Sequence, residues 1–218
     1  MILRYLHFLV VGTTGAVALT GCQGVDSVPI REFTAAPTSC TAAIAAAHQE
    51  IAEFAGELYV DDLSFKDSGE LEGPSSTRRC FGSYASSVGS WEVPEADLNR
   101  PQRRTVNVYF TADVGNYELP DGRVAAAERV FDRNKPSNAT DCVASIGDDC
   151  YVVTRLEEGS CMVKLSFRVG NLISQVQVAT MPFDALSVPR GYEGTSISGA
   201  EKVAAALARQ LDAFVPHE

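Results

Sequence analysis

Histidine is scarce in this chain, at three residues in 218, and only His48 and His217 lie beyond the first few positions. No C-x-x-C pair accompanies them, so the ligand spacing of a structural zinc site is absent. Signatures of a nucleophile are absent as well. There is no G-x-S-x-G elbow, and GTSISG at 194–199 has the wrong spacing for one. Neither S-x-x-K nor the phosphate-cradling G-x-x-x-x-G-K-[ST] occurs, and no internal repeat is visible. Positive charge is in deficit, with 18 Lys and Arg against 28 Asp and Glu, a net charge of −10. Such a field disfavours nucleic acid and anionic lipid surfaces as general partners. Long apolar runs are also missing. The one candidate, residues 5–19, falls short of the roughly 20 residues that a spanning helix needs.

What is present reads as one α+β domain. Ile44, Ala47, Ile51, Phe54 and Leu58 recur at three- and four-residue steps and predict a helix over 41–56, with His48 at the border of its apolar stripe. The acidic, then Gly/Pro/Ser-rich stretch 61–79 predicts a long solvated loop. Strands are expected at about 79–86 and 103–112. In the second, Val106, Val108 and Phe110 alternate with Thr105, Asn107, Tyr109 and Thr111. Trp91 falls in the loop between them, and a second helix is expected at 122–133 behind Asp121 as N-cap.

Gly170-Asn171 is a two-residue hairpin signal, so Val169 should face Leu172 and opposing residue numbers should sum to 341. That register puts Leu165 opposite Val176 and Val163 opposite Val178 on one face, and Lys164–Gln177 and Ser166–Gln175 on the other. Glu158-Gly159 makes a second turn, placing Leu156 opposite Cys161 and Val152 opposite Leu165. A closing helix at 198–214, begun by a Ser198-x-x-Glu201 capping box, carries Val203, Leu207, Leu211 and Phe214 on one stripe. The expected architecture is an antiparallel sheet of about five strands with helices packed on one face, in the order α-β-β-α-β-β-β-α.

The N-terminus carries an address. Arg4, a short apolar run and small residues at its end describe a secretory signal. Leu19-Thr20-Gly21-Cys22 resembles the lipobox of bacterial lipoproteins, in which the Cys thiol receives a diacylglycerol and becomes the new N-terminus. Ala16-Val17-Ala18 leaves open an ordinary cleavage site and free secretion. The lipobox reading gives a signal peptide over 1–21, a tether over 22–38 and a single envelope domain over 39–218. The mature chain then has 197 residues, enough to bury a core unaided.

Several features together resemble the small actinobacterial lipoproteins and secreted sensor-like domains of unknown function. They are the lipobox, a Ser/Thr/Pro-containing tether, a Cys opening an alanine-rich helix (Ser39-Cys40-Thr41) and a second Cys some forty residues later (Arg79-Cys80-Phe81). A Gly147-Asp148 turn, the FRVGNL hairpin at 167–172 and an Ala/Leu-rich closing helix complete the likeness. The resemblance implies no activity and hence no catalytic residues. Cys142, Cys150 and Cys161 depart from its simplest pattern.

Outside the cytoplasm, disulfides are the default state of paired cysteines. A Cys40–Cys80 bond is expected, tying the first helix to the first strand. In the proposed hairpins Cys150 faces Phe167, while Cys161 lies six residues further along that strand, roughly 20 Å away. A disulfide needs Cα atoms within about 7 Å, so Cys150–Cys161 is excluded by that register. Cys142–Cys150 is the favoured second bond, with Cys161 left as a buried thiol and Cys142–Cys161 as the alternative.

The functional expectation is a membrane-anchored, non-enzymatic module outside the cytoplasm, lipidated on Cys22, that binds an envelope protein or a small ligand. No cofactor, metal or nucleic-acid partner is implied. A hydrolase with an unrecognised site and a lipid carrier are the alternatives. Arg100, Arg103 and Arg104 form a basic cluster before one strand, and Arg78 and Arg79 precede another. They could meet an anionic envelope polymer, or be isolated surface arginines.

Overall fold

The computed structural model describes residues 31–60, 65–68, 75–115, 122–157, 159–184 and 188–217. Its centre is an antiparallel sheet of seven strands. In chain order these are β1 (Lys66–Ser68), β2 (Ser75–Ala85), β3 (Pro101–Asp113), β4 (Thr140–Asp141), β5 (Asp149–Glu157), β6 (Ser160–Val169) and β7 (Leu172–Pro182). They lie side by side in the order β1-β2-β3-β7-β6-β5-β4. The helices are α1 (Cys40–Ala45), α2 (His48–Ala55), α3 (Gly122–Asn134) and α4 (Tyr192–Phe214).

Both hairpins of the C-terminal half adopt the expected register. Val169 faces Leu172, Leu165 faces Val176, and Cys161 faces Thr180 across β6 and β7. Leu156 faces Cys161 and Val152 faces Leu165 across β5 and β6. Turn chemistry and pleat alternation both demand this pairing. Gly170 has φ +56°, which suits the first position of a type II′ turn, and a one-residue slip would turn every valine outward. β7 then pairs along its length with β3, Val108 facing Val176 and Val106 facing Val178, which places β7 at the centre of the sheet between β3 and β6.

Side chains of one sheet face form the main core with α1, α2 and α4. On α4, Ala200, Val203, Ala204, Leu207 and Leu211 are fully buried at helical spacing. Gly199 lets α4 come close to the ring of Phe54 on α2, where a Cβ would collide. Cys40 is bonded to Cys80 with Cα atoms 5.5 Å apart, which pins α1 to β2, and Cys142 is bonded to Cys150. Cys161 is a buried free thiol.

Several expectations need correction. The sheet has seven strands rather than about five, because the short edge strands β1 and β4 lack the length that makes a pattern visible. The helix expected over 41–56 is two helices, interrupted at Ala46 and Ala47, where the backbone leaves the helical region at Ala47 (φ −125°, ψ 20°). Not all helices share one face. α3 lies on the opposite side, with Phe131 packed against Tyr151 and Val153. The closing helix starts at Tyr192, six residues before Ser198, so Ser198 and Glu201 are not its caps. Glu201 instead accepts a hydrogen bond from the Val143 N–H at 3.0 Å.

Residues 31–38, expected to be tether, pack instead on the folded domain. Phe33 is fully buried and pairs with His217, and Thr34 donates its N–H to the Pro216 carbonyl at 2.9 Å. Asn171, itself fully buried at the tip of the β6–β7 hairpin, accepts from the Phe33 N–H and donates to the carbonyls of Phe33 and Asp113. Residues 22–30 and the proposed cap Asp121 lie outside the described residues.

Candidate functional site: the open face of the sheet

The pleat sends alternate side chains of β2, β3, β7, β6 and β5 to the face away from α4. Across it run two rows in register: Arg79–Tyr109–Gln175–Ser166–Tyr151, and Phe81–Asn107–Gln177–Lys164–Val153. α3 covers one corner. The Phe131 and Tyr151 rings lie 5.0 Å apart, and the Tyr151 hydroxyl donates to the Asn134 carbonyl at 3.3 Å. At the foot of α3 the uncovered floor forms a groove of about 410 Å³, lined among others by Tyr109, Asn134, Lys164, Ser166 and Gln175.

This face differs electrostatically from the rest of the molecule. Lys66, Arg79, Arg103, Arg155 and Lys164 all reach it and are all exposed. Among the described residues none of these five appears in an ion pair, whereas eight other Lys and Arg residues sit against a carboxylate. Arg79 lies over the Tyr109 ring, 5.1 Å from its centroid. Lys164 is held below the usual lysine range by partial desolvation and then by repulsion from Arg155, its diagonal neighbour across β5 and β6. Gln177 donates to the Met162 sulfur at 3.2 Å. Asn107, 6% exposed, has a side-chain oxygen with no hydrogen-bond partner. Carboxylates of this face lie toward its margins: Asp141 is paired with Lys135, Asp149 is engaged by Arg168, Asp113 accepts from the Gly115 N–H, and Glu157 ends β5.

A larger cleft of about 780 Å³ lies over the β6–β7 turn and holds three arginines, but their charges are already neutralised. Arg31 meets Asp212 at 3.4 Å and Arg209 meets Glu50 at 3.6 Å. Arg168 is buried and donates to Asp148, Asp149 and the Gly170 carbonyl. Asp148 also accepts from the Gly170 N–H at 2.8 Å, so this cluster is a latch that holds the hairpin tip.

The residues singled out from sequence scatter. Cys22 lies outside the described residues. His48 shares a 2.5 Å hydrogen bond with the Tyr59 hydroxyl at the outer edge of α2, far along the chain from the groove strands. Trp91 is 84% exposed in a short 3-10 turn. The arginine cluster before β3 is split three ways. Arg100 pairs with Glu57, Arg104 turns to the Phe54 carbonyl, and only Arg103 joins the open face. Arg78 and Arg79 also diverge, Arg78 to Asp67 and Arg79 to the open face. Cys161 is buried, facing Thr180, whose hydroxyl lies 3.2 Å from that of Ser196; burial raises its thiol pKa, with Ser196 partly opposing the rise. Among the described residues no three metal-ligating side chains cluster, and no helix is long and apolar enough to cross a membrane.

Comparison with protein-family models, curated proteins and solved structures finds no match to this chain.

Proposed function

We propose that the chain is a non-enzymatic binding module of the bacterial envelope, tethered to a membrane through lipid on Cys22, whose ligand lies on the open face of the sheet. The likeness to small actinobacterial lipoproteins and the two disulfides support the extracytoplasmic address. The observation that carries the binding site is the uncovered polar groove beside α3, lined by Tyr109, Asn134, Lys164, Ser166 and Gln175.

Two measurements test this reading. Intact-mass analysis of the membrane fraction should show a mature chain beginning at Cys22 with acyl mass added. A chain beginning at Leu19 without acyl mass would refute the anchor. Photo-crosslinking residues placed at Tyr109 and Gln177 should form discrete adducts in intact envelopes, while the same probe at Ala213, exposed on α4, should not. Equal adducts at all three positions would remove the open face as the binding surface.

A further inference from the structure

The charge of the open face allows a narrower statement, which rests on that face being the binding surface. We infer that it binds an anionic polymer of sugar or polyol units bearing carboxylates or phosphates, laid across the strands alongside α3.

In a chain of net charge −10, five exposed cations that have no ion-pair partner among the described residues are gathered on one side of the sheet. Unpaired like charges held together repel one another, as Arg155 and Lys164 do, and an incoming polyanion removes that repulsion. Their spread argues for a polymer. The strand order puts Lys66 on β1 and Arg155 on β5, separated by five strand spacings, or about 24 Å at 4.8 Å each. A single carboxylate or phosphate touches one end of such an array; a chain of repeating anions meets all of it. Between the cations lie the half-exposed amides of Gln175 and Gln177, groups suited to hydroxyls rather than to acyl chains.

Relief argues against a bilayer as the occupant. α3 stands on the same face, and a helix with its side chains is about 10 Å thick. A flat membrane meets α3 before it reaches Lys164 and Gln177 on the floor. A flexible polymer follows the trench.

The full mature chain carrying Cys22→Ser, which leaves every described residue in place, is titrated with polygalacturonate, poly(glycerol phosphate), neutral dextran and phosphatidylglycerol vesicles. At least one polyanion should bind saturably, and added salt should weaken it. The Arg155→Gln/Lys164→Gln double variant should lose about tenfold in affinity, two surface charge contacts together being worth about that factor. Arg190→Gln/Arg209→Gln, which removes the same net charge elsewhere, should bind as the parent does. Equal losses in the two variants would reduce the effect to net charge and overturn the inference. Dextran binding as well as the polyanions would overturn the anionic class, and tighter capture by the vesicles would replace the polymer with a bilayer. If no polyanion binds while the Tyr109 and Gln177 adducts persist, the ligand class is wrong and the binding face stands. If those adducts are absent too, both readings fail.

Discussion

Replacing Asn171 with leucine should destabilise the domain by about 3–5 kcal/mol in urea unfolding, at nearly constant side-chain volume. The amide is fully buried and serves three backbone groups, the N–H and C=O of Phe33 and the C=O of Asp113. Leucine at this position takes the side-chain partner from the buried N–H and C=O of Phe33, and each such group costs about 1–3 kcal/mol. Part of that cost is recovered if residues 31–34 peel away and hydrate, so the Phe33 amide should lose its protection from hydrogen exchange. A loss under about 1 kcal/mol with Phe33 still protected would show that Asn171 does not hold the N-terminal segment.

The two disulfides should differ in worth. Cys40–Cys80 closes a loop with a sequence separation of 40, Cys142–Cys150 one of only 8. In the chain-entropy picture the first contributes about 4 kcal/mol and the second about 2.6 kcal/mol, because the longer loop loses more freedom in the unfolded chain. Paired substitutions Cys40→Ala/Cys80→Ala and Cys142→Ala/Cys150→Ala should therefore rank in that order by denaturant midpoint. The first pair carries an additional loss, since Cys40 and Cys80 sit within the core between α1 and β2. A reversed ranking would mean that native-state geometry, not loop length, sets their contribution.

The sequence carried the C-terminal half of the fold well, for a physical reason. Gly170-Asn171 and Glu158-Gly159 are local turn signals, and period-two alternation then leaves a single register that buries Val163, Leu165, Val176 and Val178 together. The same register correctly excluded a Cys150–Cys161 bond. What was not legible depended on contacts between distant segments. Nothing local says that β7 pairs with β3, yet that pairing assembles the open face from Arg79, Arg103, Lys164 and Arg155. Asn107 reads as the outward residue of a half-buried strand, and its burial follows only from its neighbours across the sheet. Likewise, Phe33 looks like part of a tether until Asn171, 138 residues away, is seen to receive it. The start of α4 was misplaced because Ser198-x-x-Glu201 imitates a cap, whereas the helix enters through Gly191 at φ +96°.

The seat of Phe33 has a mechanical consequence for a tethered domain. Were the domain held from its N-terminal side, as proposed, tension would act first on Phe33, whose N–H and C=O groups are both clamped at the tip of β6 and β7, and on Thr34, which is bonded to the Pro216 carbonyl. The load therefore enters near the middle of the sheet, where β7 is hydrogen-bonded on both sides, rather than at β1 or β4. Edge strands unzip one bond at a time, but a pull delivered to the centre must shear many at once. In a lipid-tethered form, a pull on the anchor would therefore load the centre of the sheet before either edge strand.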